Sequence, residues 1–388
     1  MKHILFIKLG GFSHINDRVH QQLSEKFPRF KVDTIDIAEF IDSYQTRKVA
    51  SCFYLLYEYG WDFLTRNKSR YDYKSWEIVT SYNFRRIKKM IVKKIEENPG
   101  KYVFSFQTQS MFDGSSGLIP HFVYTDSTVL ANRYYPGIDM KKVLKSKAWM
   151  RKEQQIYDNA TCNFTFSTNQ SRSLIDQYGI EKNKVECVFA GSNVIYNESD
   201  HVKKNYDTKN ILFVGVNWER KGGDILFRSF MKVLETMPDA TLTVVGCSPG
   251  IKHPNVEITG RIPLEEVEKY YQKASVFCMP TKQEPFGIVF VEAMQRKIPV
   301  VASNIGALPD MISNNYNGFI HEWDDVEGIA GSLCVLVSDP EKCRLFGERS
   351  YKIMQDKFTW DKTGFAIKKK IETFLPSLAG ESTTEVSF

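Results

Sequence analysis

Two glutamates, Glu284 and Glu292, stand eight positions apart in the stretch VFCMPTKQEPFGIVFVE, Val276 to Glu292. A carboxylate accepts two hydrogen bonds at once, so each suits a pair of neighbouring hydroxyls. On a helix, eight residues at ~1.5 Å rise span roughly 12 Å. Carboxylates that far apart can grip the two ends of one extended ligand but cannot easily share a proton. Between them come Pro285, Phe286 and Gly287, then the apolar run Ile288 to Val291. Gly287 lets a ligand reach the backbone without a side chain intervening, and the first N–H groups of a helix favour an anion. A lone pair at this spacing would be ordinary: Glu284 a helix-start carboxylate held by the dipole, Glu292 a solvated face residue.

The neighbouring loops favour the chemical reading. GVNWERKGG, Gly215 to Gly223, carries Arg220 and Lys221 ahead of two glycines, and TGRIP, Thr259 to Pro263, carries Arg261. Cations beside a helix N-terminus bind a diphosphate, while a carboxylate suits a ribose diol or the hydroxyls of a sugar. There is no G-x-x-x-x-G-K-[ST], so the phosphate reading is not a P-loop. There is no D-x-D pair either, so a metal-bridged diphosphate is not suggested and the protein itself must neutralise the leaving group. In the first half, Asp126 ends the apolar run HFVYT, with Ser127 and Thr128 behind it. A carboxylate at the C-terminal end of a strand is where site residues of open α/β sheets collect, and the same group can cap the next segment. Leu9-Gly10-Gly11 follows a first strand over Lys2 to Lys8 and precedes a helix from about Asn16 to Phe27. Backbone amides meet ligands at such places, but the G-x-G-x-x-G dinucleotide fingerprint is absent.

The elements that must position these residues alternate. Further short strands are expected at Lys31 to Ile37, Tyr102 to Phe106, His121 to Thr125, Cys162 to Ser167 and Lys184 to Phe189. Apolar periodicity then vanishes over Asn197 to Asn210, which marks a domain junction. A second series follows, with strands at Ile211 to Val216, Thr241 to Gly246, Val256 to Gly260, Val276 to Met279, Pro299 to Asn304 and Gly318 to Ile320. Strands alternating with helices imply α/β, doubly wound domains. The boundaries read 1–198, 199–360, a C-terminal helix over 361–378 returning to the first domain, and a disordered tail over 379–388. The piece CFYLLYEYGWDF, Cys52 to Phe63, is either a core helix or an aromatic wall for a sugar or lipid acceptor.

The totals set bounds. At 388 residues the chain exceeds one ordinary core, so two domains of roughly 180 residues are expected. Its 42% apolar and 25% charged residues are those of a globular protein, and no apolar run reaches the ~18 residues of a membrane span. The N-terminus reads as a strand and not as a signal peptide. Seven cysteines without C-x-x-C spacing suit a reducing compartment, with Cys247 and Cys278 as small apolar strand residues, and no metal site is expected. The net charge of +6 concentrates at Arg85 to Lys94 and Lys141 to Lys152. The first run puts Ile87, Met90, Ile91 and Ile95 at helical spacing. Such a helix can lie on an anionic membrane, but an ordinary helix with a solvated lysine face is the favoured reading. Nucleic-acid signatures are absent.

The order VGVNWERKGGDILF, VVG, TGRIP, PTKQEPFGIVFVEAM, PVVASNIGALPD and NGF resembles the retaining glycosyltransferases of the GT-B fold, in particular glycosyltransferase family 4, the group 1 transferases. The resemblance covers nearly all of Ile211 to Ile320 and extends weakly upstream through FSTNQSRSLIDQYGIEKNKVECVFAGSN. It implies two Rossmann-like domains facing across a cleft, the first for an acceptor and the second for a nucleotide-sugar donor. It implies that Glu292 holds ribose hydroxyls, that Glu284 contacts the donor sugar, and that Phe286, Gly287 and Ile288 offer backbone amides, with Val289 beside the diphosphate. Lys221 matches the diphosphate lysine, Gly246 and Arg261-Ile262 the base-binding part, and Gly10-Gly11 a glycine loop facing the phosphates. Many relatives carry an arginine where Val216 stands, and Arg220 is the candidate replacement. The residue beside the anomeric carbon is a histidine in many relatives; Asp126 takes that place here, with His121 five residues earlier.

The activity implied is transfer of a sugar from a nucleotide diphosphate sugar, UDP first and GDP next, to an acceptor hydroxyl, by front-face substitution with retention. No cofactor or metal is implied. Lys221, helper cations and helix N-termini stabilise the leaving group, and Glu284 is a positioning group. The acceptor is a sugar, lipid or small molecule. The implied location is cytoplasmic, with a peripheral place at the inner membrane face as a variant. The rival readings are a sugar-nucleotide epimerase on the same fold and a catalytically weak nucleotide-sugar-binding subunit.

Overall fold

The central apolar runs become parallel strands covered on both faces, which is why these runs are nearly continuous rather than alternating. The computed structural model describes residues 1–42, 48–66, 77–137, 147–194 and 204–378. The expected tail, residues 197–203 of the junction and residues 141–146 of the second basic run lie outside these. The chain forms two units: Met1–Arg133 with Ile138–Val188 and Trp360–Phe388, and Tyr134–Gly137 with Phe189–Thr359.

In the first unit the elements are β1 (His3–Lys8), α1 (Ile15–Lys26), β2 (Lys31–Asp36), α2 (Ile37–Asp42), α3 (Lys48–Arg66), α4 (Ser81–Glu96), β3 (Tyr102–Thr108), β4 (His121–Thr125), α5 (Val129–Asn132), α6 (Lys147–Asp158), β5 (Cys162–Thr165), α7 (Thr168–Arg172) and β6 (Val185–Cys187). Helix α7 is short, because the chain widens into a π-type turn over Ser173–Gln177. The sheet order is β2-β1-β3-β4-β5-β6, all parallel. Its direction of winding reverses between β1 and β3, so the Gly10 loop sits at a topological switch point, where open α/β sheets bind ligands.

Aromatic side chains fill this unit. Phe104 meets Phe122 edge-on at 5.5 Å, Phe106 stacks on Phe164 at 5.9 Å, and Tyr124 stacks on Phe166 at 4.2 Å, all six fully buried. Each contributes about 2–3 kcal/mol by removing its ring from water. On α4, Ile87, Ile91 and Ile95 form the buried stripe, and Thr80 caps the start by accepting the Asn83 amide at 3.2 Å. The C-terminal helix α14 (Trp360–Phe374) belongs to this unit. Gly364 lets it approach α1 closely: a methyl there would fall 2.2 Å from the Gln22 carboxamide oxygen.

The second unit has β7 (Asn210–Val214), α8 (Gly223–Thr236), β8 (Thr241–Val245), β9 (Val256–Gly260), α9 (Leu264–Lys273), β10 (Val276–Met279), α10 (Ile288–Gln295), β11 (Val300–Ser303), α11 (Leu308–Met311), β12 (Gly318–His321), α12 (Val326–Val337) and α13 (Pro340–Lys357). Cys278 is a buried residue of β10, whereas Cys247 lies past the end of β8 and is half-buried. The order β12-β11-β10-β7-β8-β9 is again wholly parallel. Its switch point lies between β7 and β10. The Arg220-Lys221 loop leaves β7 and the Glu284 loop leaves β10, so two segments 60 residues apart in sequence meet at one crevice.

Candidate functional site

The two loops at the β7/β10 crevice are bound to each other. The Lys221 ammonium pairs with the Glu284 carboxylate, and both side chains are nearly buried. The Arg220 carbonyl accepts the Lys282 amide at 2.9 Å, and its guanidinium Nη1 donates to the Gln283 carbonyl at 3.2 Å. Thr281 Oγ1 donates to the Gln283 carbonyl at 3.0 Å, and Ser303 Oγ donates to the Thr281 carbonyl at 2.5 Å. A cation and a carboxylate are thus held side by side on rigid backbone.

Glycines permit the close approach. Gly222 has φ +72°, and a methyl there would fall 1.8 Å from the Pro280 carbonyl oxygen. Gly306 has φ +56°, and its methyl would fall 1.9 Å from the Glu284 carbonyl oxygen. Neither can be replaced without displacing the loop. Gly287 stands at φ +102°, turning the chain into α10, where it is the N-terminal cap with no side chain of its own. Phe286 is buried against Phe358, while Ile288 and Val289 remain half-buried at the helix start.

Glu292 is 4% exposed on α10 and accepts a hydrogen bond from the Tyr271 hydroxyl at 3.0 Å. Burial pushes its carboxyl up to about 7, against the opposing pull of Tyr271 and the Arg296 guanidinium. Arg296 lies over the Tyr271 ring at 4.8 Å, donates to the Glu292 carbonyl at 2.7 Å and pairs with Glu268. Tyr271 and Arg296 were not singled out from the sequence. The spacing of Glu292 and Arg296, one helical turn, was the available signal.

Gly246 ends β8 at φ +97°, donating its amide to the Gly260 carbonyl at 2.9 Å, and a methyl on it would fall 2.9 Å from the Gly215 carbonyl oxygen. Arg261 is exposed and Ile262 half-buried just beyond β9. Val216, 65% exposed, carries no charge into this edge.

The first unit holds the remaining candidates. Gly10, at φ +57°, donates its amide to Asp36 Oδ1 at 3.0 Å, and its carbonyl accepts Asn16 Nδ2 at 2.7 Å. Asn16 Oδ1 in turn accepts the Thr108 hydroxyl at 2.6 Å. Burial would raise the Asp36 carboxyl, but the amides of Gly10 and Ala38 and the Lys8 ammonium hold it below its ordinary value. Gly11 is exposed beside it. Asp36, Asn16 and Thr108 therefore position the glycine loop, and sequence reasoning missed all three. Asp36 offered the same signal as Asp126, a carboxylate ending a strand. Asp126 lies half-buried at the C-terminal end of β4. His121 opens the other end of that strand, about 16 Å away at ~3.3 Å per residue. Its Nδ1 is 2.8 Å from Ser105 Oγ, and burial pushes the imidazole down to about 4. Among the described residues, no group of three or more His, Cys, Asp and Glu is placed to hold a metal ion.

Two parallel doubly wound units, with a cation, a carboxylate and a glycine-capped helix start at the switch point of the second, define an α/β GT-B fold. Residues 208–339 match the family model described as Glycosyl transferases group 1. The match lies within the second unit, and the chain resembles the GT-B glycosyltransferases of this group. It is 25% identical over 245 residues to an uncharacterized glycosyltransferase of Methanocaldococcus jannaschii, covering 60% of this chain and 64% of that protein. It is 25% identical over 256 residues to the D-inositol 3-phosphate glycosyltransferase of Kribbella flavida, covering 59% of this chain and 60% of that one. The chain thus spans less than two thirds of the length of either relative. Among solved structures, HepE of Anabaena in complex with UDP superposes with a TM-score of 0.63 at 14% identity, covering 97% of this chain and 100% of that one, a likeness of fold.

Proposed function

We propose that the protein transfers a sugar from a nucleotide diphosphate sugar, UDP first and GDP next, to an acceptor hydroxyl with retention of configuration. The observation that carries this is the Lys221–Glu284 pair at the β7/β10 switch point, beside the Gly287-capped start of α10. Lys221 supplies positive charge where negative charge develops on a leaving diphosphate, and the α10 amides add to it. Glu284, holding Lys221, accepts hydroxyls of the donor sugar and positions it. Glu292 holds the ribose at the far side of the same helix, with Tyr271 setting the orientation of its carboxyl. Gly246, Arg261 and Ile262 contact the base. Arg220 replaces the cation missing at Val216. With these cations in place and no D-x-D pair in the chain, the leaving group is neutralised without a metal. A protein of the same fold bound to UDP supports the donor class.

Incubation with UDP-, GDP- and ADP-sugars tests this directly. Transfer or slow hydrolysis releases nucleoside diphosphate and is the expected result. Interconversion of the sugar without release means an epimerase. Neither product means a binding subunit.

A further inference from the structure

Helix α3 has two faces of opposite character. Inward, Ser51, Leu55 and Tyr59 are buried at four-residue spacing. Glu58 also turns inward, where it pairs with Lys152 of α6 and accepts the Ser81 amide at 2.9 and 3.1 Å. The Tyr59 hydroxyl and the Lys152 ammonium both donate to the Val79 carbonyl, at 2.8 and 3.0 Å. These bonds fasten α3 to α4 and α6 and fix which face looks out.

Outward, Phe53, Leu56 and Tyr57 are 65%, 45% and 79% exposed. The Phe53 and Tyr57 rings stack on one another at 6.4 Å with an interplanar angle of 4°. Large apolar groups clustered on an outer face mark a surface that meets something. Beside them, the Tyr54 hydroxyl accepts Arg85 Nη2 at 2.9 Å, and the guanidinium lies over its ring at 5.4 Å. Arg85 and Lys89 begin a line of exposed cations at four-residue spacing along α4, opposite its buried isoleucines; Lys93, one turn further, pairs with Glu97 at 3.5 Å. Glu58, the carboxylate nearest the exposed aromatics in sequence, is withdrawn and paired, so it does not offset this charge.

We propose that the α3–α4 face is a docking surface for an anionic lipid bilayer. Exposed rings settle at the headgroup boundary, where one side is apolar and the other wet, and a line of cations meets lipid phosphates. Leu56, exposed between the two rings, offers no face for a base to stack on, and an aliphatic group beside aromatic ones suits a lipid surface better than single-stranded nucleic acid. This goes beyond the transfer reaction and stands without it.

The test is co-sedimentation of the full chain with phosphatidylcholine vesicles, with and without phosphatidylglycerol, at low and moderate salt. Thermal melting checks that the variants fold. The expected result is partition onto the phosphatidylglycerol vesicles that salt weakens. Phe53→Ser with Tyr57→Ser should lower it at least tenfold, and Lys89→Gln and Arg85→Gln by about fivefold each. Failure of the wild-type chain to sediment with either vesicle overturns the proposal. So does equal binding to both vesicles, or a folded Phe53→Ser/Tyr57→Ser variant that partitions as the wild type does.

Discussion

Lys221 and Glu284 are each nearly buried, and each is the other's partner. Removing one leaves the other charge unpaired in a poorly solvated place, which typically costs about 3–5 kcal/mol. Loss of activity in a single Lys221 variant therefore mixes a catalytic with a structural effect. Arg220 is a cleaner probe. Its structural bonds run mainly through its backbone, the carbonyl accepting from Lys282 and the amide donating to Asn217 Oδ1 at 2.9 Å. Among the described residues its guanidinium donates to the Gln283 carbonyl, on the loop that carries Glu284. Arg220→Ala should weaken nucleoside diphosphate affinity about tenfold, roughly 1.4 kcal/mol. Val216 is exposed enough to accept a long side chain, so Val216→Arg in that background should restore much of the loss. Calorimetric titration reads both; unchanged affinity in Arg220→Ala removes the residue from the site.

The connection from β4 to α5, which carries Asp126, is held from beneath by one carboxyl. Glu153 of α6 is 1% exposed; its Oε1 accepts the Val129 amide at 3.0 Å and the Tyr157 hydroxyl at 3.1 Å, and its other oxygen accepts the Tyr178 hydroxyl. Burial pushes this carboxyl up to about 7 from 4.5, outweighing the three donors. An acid whose folded pKa is raised binds more protons folded than unfolded between those two values. Its contribution is therefore most favourable below pH 4.5 and declines as pH rises to about 7. Glu153→Gln keeps an acceptor for Val129 and cannot titrate. Thermal melting of both proteins across that window should show the wild type losing about 3 kcal/mol relative to the variant as pH rises. Parallel curves contradict the assignment. His121, pushed down, acts in the opposite sense: its contribution is present above about 6.5 and lost as pH falls toward 4. The variant comparison cancels it.

Much of the fold could be read because it depends on local signals. Glycine pairs after apolar runs marked Gly10-Gly11 and Gly222-Gly223, whereas the helix expected just after Glu284 starts at Ile288, so most of the stretch from Glu284 to Glu292 is a turn and not a helical span. Strand order could not be read, since the pairing of β7 with β10 joins segments whose own sequences carry no trace of it. The same limit hid Tyr271, whose contact with Glu292 spans 21 residues, and Asn16, which reaches Thr108 over 92. The aromatic piece that read as either a core helix or an acceptor wall has a buried and an exposed face, because one helix turns Leu55 and Tyr59 inward and Phe53 and Tyr57 outward. No described helix is long and apolar enough to cross a membrane. All these elements converge on one claim, that the β7/β10 crevice binds a nucleoside diphosphate through Lys221. The most direct measurement is calorimetric titration of UDP, GDP and ADP into the wild-type chain and into a folded Lys221→Gln variant. The account predicts saturable binding of at least one, UDP foremost, weakened tenfold or more by the substitution. Binding of none of them to the wild type, or equal binding by both proteins, would contradict it.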